Sequence, residues 1–544
     1  MKRRPERMDM RAEELDALVE RVKSGSLEAG DTEIVESMAE TIKLLSSAIE
    51  EKNMSIRRLR RIIFGAQTES AEKVLKTDTD GKKPSGSADD RKKKKNKVKG
   101  HGRNGADAYT GAERVVVKHK SLKAGDPCTL CPKGRVYPMT DPKRVVWVVG
   151  QAPVQATVYE IERLRCNLCQ NIFTAELPEE CGKEKYDGTT GSIIALLKYG
   201  SGFPFNRIEK LQAGFGIPLA AATQWDIVEG KAKKISAVYD ELVRQAAQGE
   251  VLHNDDTAAK ILEFMSKEEN EYEENEKTRT GMFTTGIFSR VGEHNIALYF
   301  TGRKHAGENM AELLSHRDFD RGPPIQMCDA LARNLPKDFK VLLANCMTHA
   351  RRRFVDVSEL FPEECRFVIE ILKDVYKNDA VTKQRGMSDD ERLVYHQAES
   401  GPLMDSLEDW LQKRFSQKKV EPNSSLGEAI SYMLNHWKSL TLFLKEPGAP
   451  LYNNLCEQVL KRAILHRKNA LFFKTQHGAY IGDLFMSLIH SCDLHGVNSF
   501  DYLTELERHS DAAQKNPEQW LPWNYERTLA RLVRKSPADN QKKI

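Results

Sequence analysis

Long apolar runs are missing from this chain. No stretch approaches the roughly 18 consecutive apolar residues that a membrane-spanning helix needs. The N-terminal segment Met1–Met10 is charged and has no apolar core of the kind that a secretory leader carries. We therefore expect a soluble, cytoplasmic protein.

A large excess of charge of one sign is also missing. The chain has 84 Lys and Arg residues against 79 Asp and Glu residues, so its net charge of +5 selects no partner. The cations are nevertheless bunched at several separate places, which favours a long polyanionic partner. The clusters are Arg57–Arg61, Lys92–Lys99, Arg351–Arg353 and Lys461–Lys468.

Cysteine is scarce, and four of the ten cysteines form two Cys-x-x-Cys pairs, Cys128 with Cys131 and Cys166 with Cys169. In a chain without a leader this pattern favours metal binding over disulfides. Four thiolates complete a tetrahedral structural Zn²⁺ site, and a hairpin must fold back to join the pairs, as in a zinc ribbon. The alternative is two unrelated pairs, and Cys181 lies outside the pattern.

The segment from residue 35 to residue 63 repeats apolar residues every seven positions. This spacing predicts a two-stranded parallel coiled coil, and so a homodimer or larger assembly, although a single amphipathic helix is the alternative. Residues 67–105 then lose all periodicity and form a flexible basic linker, either solvated chain or a salt-sensitive aid to DNA binding. The two seams are Val35, Ile42, Ile49, Ile56 and Ile63, and Met38, Leu45, Lys52 and Leu59.

Residues 189–246 have a helical pattern. We expect a helix at Phe205–Ala213, a turn at Gly214–Pro218 and a second helix at Ala220–Glu229. This is the spacing of a helix-turn-helix DNA-binding element. Any helical hairpin has a similar pattern, so both interpretations stay open.

After Gly249 the pattern changes to strands. Three meandering strands followed by helix-linked strands is the order of a ribonuclease-H-like sheet. Ligands of open sheets bind beyond the strand ends, and Asp255 and Asp329 stand near the ends of the first and fourth strands. The expected elements are strands Val251–Asp255, Gly281–Arg290 and Asn295–Thr301, helix Ala306–Ser315, and strands Pro324–Asp329 and Phe339–Asn345.

Glu457 opens a strongly basic helix that continues through Lys461, Arg462, Arg467 and Lys468. An acid that holds a divalent cation, beside cations that hold a phosphate backbone, suits a metal-dependent enzyme acting on nucleic acid. The alternative is an ordinary pair between Glu457 and Lys461, four residues apart on a solvated helix.

Three carboxylates from two strands and a helix, those of Asp255, Asp329 and Glu457, would supply hard oxygen ligands for two Mg²⁺ ions, with Mn²⁺ as an alternative. Such a site needs no Ser, Cys or His nucleophile, because water or a DNA 3′-hydroxyl attacks directly. Spacing alone does not select these three among 79 acids.

Five short blocks resemble, in order and over nearly the whole chain, the transposases of the insertion sequence 66 family. The Asn-Asn-Leu-x-Glu and Arg-Lys-Asn-x-Leu-Phe blocks are the specific ones. The blocks are His253–Thr257, Cys346–Phe354, Asn453–Glu457, Arg467–Phe472 and Leu521–Trp523.

The resemblance implies a DDE-type catalytic triad at Asp255, Asp329 and Glu457. It implies a bacterial, nucleoid-associated enzyme that binds the inverted-repeat ends of its insertion sequence, cleaves them with Mg²⁺ and transfers the 3′-hydroxyls to target DNA. Accessory proteins encoded by the element are expected partners. The alternatives are an inactive or regulatory DNA-binding relative, and a ribonuclease-H-like nuclease that only hydrolyses DNA.

Basic residues near these acids are the candidate DNA contacts. After the last strand we expect a phosphate clamp in which His349 polarises the scissile group, although a charged helix start and a Cys346-x-x-His349 metal pair are alternatives. The candidates are His349, Arg351, Arg352, Arg353, Lys461, Arg462, Arg467 and Lys468.

A helical insertion with capping boxes at Ser388–Glu391 and Ser425–Glu428 separates the last strand from Glu457. We expect it to shape the DNA channel, or to be a structural or dimer element. The whole chain is then a multidomain α+β protein. Its expected parts are coiled coil 1–66, linker 67–105, zinc-binding domain 106–182, helical DNA-binding region 183–246, ribonuclease-H-like catalytic domain 247–355 and 451–506, insertion 356–450 and C-terminal tail 507–544.

Overall fold

The structure is a computed structural model, and two units can be distinguished in it, residues 1–79 with 156–544 and residues 80–155. The predicted coiled coil, the linker and the five cysteines of the zinc-binding region lie outside the described residues. No helix in the described part is long and apolar enough to cross a membrane. The structure describes residues 21, 24, 31, 107, 121–127, 135–137, 151–165, 172–176, 178, 184–265 and 281–535.

Two short antiparallel pairs precede the main body of the chain. In the unit of residues 80–155, Pro127 bridges Arg135. In the other unit, strand β1 (Arg163–Arg165) pairs with strand β2 (Ile172–Thr174). Each pair therefore brings together the two ends of a short intervening segment.

Three helices follow, α1 (Gly188–Ala195), α2 (Phe205–Gly214) and α3 (Ala221–Ala246), and α1 continues as a π-helical turn over Leu196–Gly200. The turn after α2 contains Gly216, whose φ of +73° favours glycine. The helix α3 is far longer than the predicted second helix because its apolar face stays buried along 26 residues.

The five-stranded sheet has the order β5-β4-β3-β6-β7, with β3, β4 and β5 antiparallel and β3, β6 and β7 parallel. This confirms a mixed α+β fold with the expected strand succession. The first strand extends three residues further than predicted, and the last begins three residues later. The strands are β3 (Val251–Ala258), β4 (Phe283–Val291), β5 (His294–Gly302), β6 (Ile325–Cys328) and β7 (Leu342–Asn345).

Helices lie against both faces of the sheet. Helix α4 (Ala306–Leu314) packs on β3 and β4, where Asn309 Nδ2 donates to Thr285 Oγ1 over 2.7 Å. The predicted helical insertion is present between β7 and the Glu457 helix. After α5 (Met347–Val357), which follows β7 directly, it consists of α6 (Pro362–Gln384), α7 (Asp389–Glu399), α8 (Gly401–Ser416), α9 (Ser425–Asn435) and α10 (Trp437–Leu440).

The two predicted capping boxes have different outcomes. Ser388 and Glu391 form the box at the start of α7. The second box was wrong by one residue, because Ser424 is the N-cap of α9 and accepts a hydrogen bond from the Gly427 N–H. Three residues after Ser424 stands glycine, so no side chain returns the bond.

Two long helices follow the insertion, α11 (Asn454–Ala470) and α12 (Gln476–Leu494). The region that we expected to be a tail contains the end of α13 (Ser499–Arg508), α14 (Ser510–Lys515) and α15 (Tyr525–Lys535). Trp520, which lies between α14 and α15, is only 1% exposed. Glu507 of α13 forms a 2.6 Å ion pair with the buried Lys231 of α3. Residues beyond 507 therefore pack on the helical region.

The open edge of the sheet at β5 is covered by α12. Backbone N–H groups of Ala297, Tyr299 and Thr301 donate to side chains of α12 over 3.2, 3.1 and 2.6 Å. A four-residue step on a helix rises about 6 Å and a two-residue step on a strand about 6.7 Å, so the two series stay aligned. The accepting side chains are Ser491, Ser487 and Asp483.

Candidate active site

Asp255 lies on β3 between two residues that contact α11. His253 Nδ1 is 3.0 Å from Asn453 Oδ1, and Thr257 Oγ1 accepts a 2.9 Å hydrogen bond from Arg467. Because alternate residues of a strand share a face, the Asp255 side chain lies on the face that α11 covers.

The neighbouring Asp256 points to the opposite face. Its side chain is 2% exposed and lies 3.3 Å from both the Arg333 guanidinium and His305 Nδ1. These contacts already balance its charge, whereas within the described residues the Asp255 carboxylate accepts one hydrogen bond, from the Asp256 N–H over 2.8 Å. The geometry therefore separates a paired aspartate from one that is open to a cation.

Asp329 follows β6 directly, next to Asp255. The parallel register aligns Val251 with Ile325 and His253 with Met327, and two further residues bring Asp329 beside Asp255. Burial raises the pKa of Asp255 to about 6, with the charges of Asp329 and Asp256 adding to the effect. Asn334 Nδ2 donates to Asp329 Oδ1 and fixes that carboxylate.

Glu457 stands in the first turn of α11 and is half-buried. The start of this helix is fixed to β3 and β4, because Asn453 Nδ2 donates to Asn254 O over 3.3 Å and Cys456 Sγ to Gly286 O over 3.2 Å. Gly286 pairs with Asp255 in the sheet. The first turn of the helix, which carries Glu457, therefore lies over the strand pair that contains Asp255.

Asp255 and Asp329 supply the hard oxygen atoms that a divalent cation prefers. Burial is the main cause of the raised pKa of Asp255 and the charge of Asp329 adds to it, so a cation bound there would favour the ionised pair. In the described part of the chain, no three His, Cys, Asp or Glu side chains are grouped closely enough to hold a metal ion together. Glu457 thus does not complete a group of three with the two aspartates.

His349, in the first turn of α5, faces the same site. The pKa of His349 is raised because its ring interacts with the Cys346 thiol, and the charge of Asp329 acts in the same direction. Its Nδ1 is buried and makes no hydrogen bond within the described residues. This nitrogen is a polar atom available to a ligand at the carboxylates.

The predicted arginine cluster after His349 is divided. Arg351 is 8% exposed, and the Arg353 guanidinium stacks 3.9 Å above the Tyr432 ring of the insertion. Arg352 is exposed and its charge acts on His349. Arg351 is therefore buried, whereas Arg352 and Arg353 are both exposed.

The cations of α11 are also divided. Lys461 and Lys468 are exposed, while Arg462 pairs with Asp493 and Arg467 donates to Thr257 Oγ1 and Ala258 O. Glu457 and Lys461, both among the described residues and four apart on this helix, form no ion pair with each other. Arg467 therefore holds the helix against β3.

Sequence reasoning missed the side chains that orient the acids. Asn453 links α11 to β3, Asn334 bonds Asp329, and Arg333 neutralises Asp256. Asn453 stands in the Asn-Asn-Leu-x-Glu block, which was a usable signal. The other two lie in a connection whose path depends on the folded sheet.

A family model described as the transposase IS66 family matches residues 186–481, which is 296 of the 544 residues. The chain belongs to the IS66 family of transposases. The matched segment runs from just before α1 into α12 and includes all three carboxylates. Membership in this IS66 family implies an enzyme of transposition whose partner is DNA.

Curated relatives of this IS66 family chain come from Sinorhizobium fredii. The uncharacterized protein y4hP is 25% identical over 443 residues, which cover 77% of this chain and 76% of the relative. The uncharacterized protein y4jD is 33% identical over 34% of this chain and 36% of its own length. The uncharacterized protein y4qI is 27% identical over 34% of each chain.

Proposed function

We propose that this protein is a DDE-type transposase that binds the inverted-repeat ends of its insertion sequence, cleaves them and transfers the freed 3′-hydroxyls to target DNA. The observation that carries the proposal is the placement of Asp255 and Asp329 at adjacent positions of the parallel strands β3 and β6, on the face crossed by the Glu457 helix. This arrangement supports a ribonuclease-H-like catalytic domain.

Asp255 and Asp329 would hold Mg²⁺, with Glu457 as a further ligand from α11. Bound there, Mg²⁺ or Mn²⁺ would stabilise negative charge on the attacking and leaving oxygens of phosphoryl transfer. Burial, and after it the charge of Asp329, raises the pKa of Asp255, so a cation bound at the pair would offset the cost of ionising this carboxyl group.

The remaining residues would bind and orient the DNA. His349 Nδ1 is free to donate to a phosphate oxygen, and the exposed Arg352, Lys461 and Lys468 would contact the backbone. Arg351, Arg353, Arg462 and Arg467 would act through the parts of the fold that they hold. Water or a 3′-hydroxyl is the attacking group, so no protein nucleophile is needed.

The parts outside the described residues complete the proposal. Cys128, Cys131, Cys166 and Cys169 would bind one structural Zn²⁺, on the evidence of their spacing. The heptads of residues 35–63 would join two chains, which matches an enzyme that must bring two element ends together. Proteins encoded by the same element would assist, and the cytoplasmic nucleoid is the expected location.

Carboxamide substitution tests the triad. Asp255→Asn, Asp329→Asn and Glu457→Gln should each reduce Mg²⁺-dependent end cleavage by at least about 10³-fold, because each removes a charged ligand. Binding to a labelled duplex of the element end should stay within about threefold of wild type, since it depends mainly on cations. Gel assays of cleavage and binding on the same preparations measure both.

Asp256→Asn is the matched control, because Asp256 is adjacent in sequence but paired on the other face. It should keep cleavage at temperatures where it is folded. Loss of cleavage in Asp256→Asn, with retention in Asp255→Asn, would assign the ligand to Asp256. Joining of precleaved ends to a plasmid separates transposition from hydrolysis, and its absence in an enzyme that cleaves would refute strand transfer.

A further inference from the structure

The segment after α11 contains a strained turn. Leu471 has φ +68° and ψ −41°, and the Phe472 N–H donates to the Ala470 carbonyl over 2.9 Å. These values describe a γ-turn, which is rare and costs about 1–3 kcal/mol for a residue with a side chain. Such a conformation persists only where the surrounding structure imposes it.

Both ends of the turn are anchored. The Leu471 N–H donates to Arg467 O over 2.8 Å, and the Phe473 N–H donates to Lys260 O over 2.8 Å. The Phe473 ring stacks on His466 with centroids 4.9 Å apart. We call residues Ala470–Phe473 the apolar turn, and its backbone is fixed by helix α11 on one side and by the segment after β3 on the other.

Burial of the two central side chains does not offset the strain of the turn. Leu471 is 64% exposed and Phe472 is 43% exposed. Three exposed lysines lie near these side chains. Lys468 and Lys474 are close in sequence, and the Lys260 carbonyl accepts the Phe473 N–H. Apolar and aromatic side chains among cations are the combination by which proteins unstack nucleic-acid bases, the rings contacting bases and the cations contacting phosphates.

The apolar turn lies at a defined distance from the carboxylates. Arg467, four residues before Leu471, bonds Thr257 and Ala258, which lie two and three residues after Asp255. Lys260, which accepts the Phe473 N–H, lies five residues after Asp255, about 17 Å along an extended chain, and the 14 residues from Glu457 to Leu471 span about 21 Å of helix. With about 3.4 Å per nucleotide of a strand, this range corresponds to roughly five to six nucleotides.

We infer that the apolar turn is a base-unstacking wedge: Phe472 stacks on a DNA base displaced from the duplex about five to six nucleotides from the scissile phosphate, and Leu471 fills the gap. The inference rests on the proposed function, because it takes the scissile phosphate to lie at Asp255 and Asp329. It gives a role to the exposed side chains of Leu471 and Phe472, which packing within the fold does not explain.

Fluorescence of 2-aminopurine tests the wedge. The probe is a duplex of the element end carrying 2-aminopurine singly at each position within ten nucleotides of the cleavage site. On binding wild type in EDTA, fluorescence should rise at one or two positions in the expected range. Phe472→Ala should lose this rise and cleave the duplex about 5- to 150-fold more slowly, the loss of one base stack, while Phe472→Trp should retain both.

A pre-opened duplex, mismatched at the responding position, should restore cleavage by Phe472→Ala. Phe319→Ala is the control, because Phe319 is fully exposed but stands between Asp318 and Asp320, and it should behave as wild type. No fluorescence rise at any position, or a rise that survives in Phe472→Ala, would overturn the inference.

The competing interpretation is that the apolar turn contacts a second copy of this chain, and sedimentation of Phe472→Ala tests it. A lower oligomeric state with an unchanged fluorescence rise would make the apolar turn a contact between chains and refute the wedge. Because the rise is measured on binding in EDTA, a protein that gives the Phe472-dependent rise but never cleaves the DNA with Mg²⁺ would contradict the proposed function and leave the wedge supported.

Discussion

Asp255 and Asp256 are neighbours in sequence with opposite surroundings. Asp256 is balanced by Arg333 and His305, whereas Asp255 faces Asp329. Ionisation of Asp255 therefore destabilises the folded protein, and a cation bound on that face would offset this cost.

The first consequence is a pH-dependent gain of stability in Asp255→Asn. The pKa of Asp255 is raised from 3.8 to about 6, so the folded chain binds this proton more tightly than the unfolded chain, and stability is lost as the pH rises from about 4 to about 6. Two pKa units correspond to about 3 kcal/mol, an upper bound. Asparagine imitates the protonated acid, so the variant should be more stable by about 1–3 kcal/mol at pH 8 in EDTA.

Thermal unfolding at pH 8 and at pH 5 measures this difference, which should shrink at the lower pH. Added Mg²⁺ should raise the wild-type Tm more than that of the variant. Equal stability of the two proteins at pH 8 would mean that Asp255 carries no repulsion in the folded state.

At this scale the sequence predicts part of the site. The blocks around Asp255 and Glu457 select those acids by resemblance, and strand alternation alone implies that Asp255 and Asp256 face apart. The sequence does not predict that Arg467 bonds β3 or that Arg353 stacks on Tyr432, because both contacts join segments brought together only by folding. A cluster of cations therefore overstates the number of free DNA contacts.

Among the elements, α11 depends on one small residue of the sheet. A Cβ atom at Gly286 would stand 3.0 Å from Leu460 Cδ2 and 3.2 Å from Val459 Cγ1. Gly286 also pairs with Asp255. The glycine thus lets the helix approach the strand that carries the first aspartate.

Gly286→Ala should lift α11 slightly and displace Glu457. We expect a stability loss of about 1–3 kcal/mol and a fall in the cleavage rate of about tenfold or more, with DNA binding almost unchanged. Gly302→Ala is the control, since its nearest contact would be an ordinary 3.5 Å to Gln476. Single-turnover cleavage rates measure the effect, and wild-type rates in Gly286→Ala would show that close seating of the helix is unnecessary.

The sequence predicts most elements of the sheet and their order but not the way its edge is closed. The hydroxyl and carboxyl groups of Ser487, Ser491 and Asp483 cover the edge of β5, and they stand on an otherwise apolar helix. A four-residue spacing of small polar residues is common on helices, so it identifies no partner strand. The fit between these side chains and the N–H groups of β5 is recognised only when the rise per residue of the helix is compared with that of the strand.

Over the whole molecule, the insertion and the sheet share one hydrophobic core. That core runs from Val251, Ile325 and Met327 of the strands to Leu372 and Leu407 of the insertion. We therefore expect the insertion and the parallel strands to unfold together.

Asp379→Asn tests this cooperation. Asp379 is buried in α6, and His396, Arg392 over 2.6 Å and Lys383 over 2.8 Å together hold its pKa well below the ordinary value against the effect of burial. Loss of this charge leaves cations unpaired and should destabilise the protein by about 3 kcal/mol. Hydrogen exchange should accelerate in β6 and β7 as well as in α6.

Asp409→Asn, which removes an exposed pair with Lys413 on α8, should leave exchange unchanged. Acceleration confined to the insertion would show that it unfolds as a separate unit.

Helix α11 carries Glu457 at one end and the strained Leu471 at the other, with no break between them. In the proposed complex such a helix would act as a ruler, because its length and not a base sequence would set the distance between the reacting phosphate and the base that Phe472 contacts. One added residue would lengthen it by about 1.5 Å and turn its end by about 100°. Such an insertion would therefore move the wedge both along the DNA and around it.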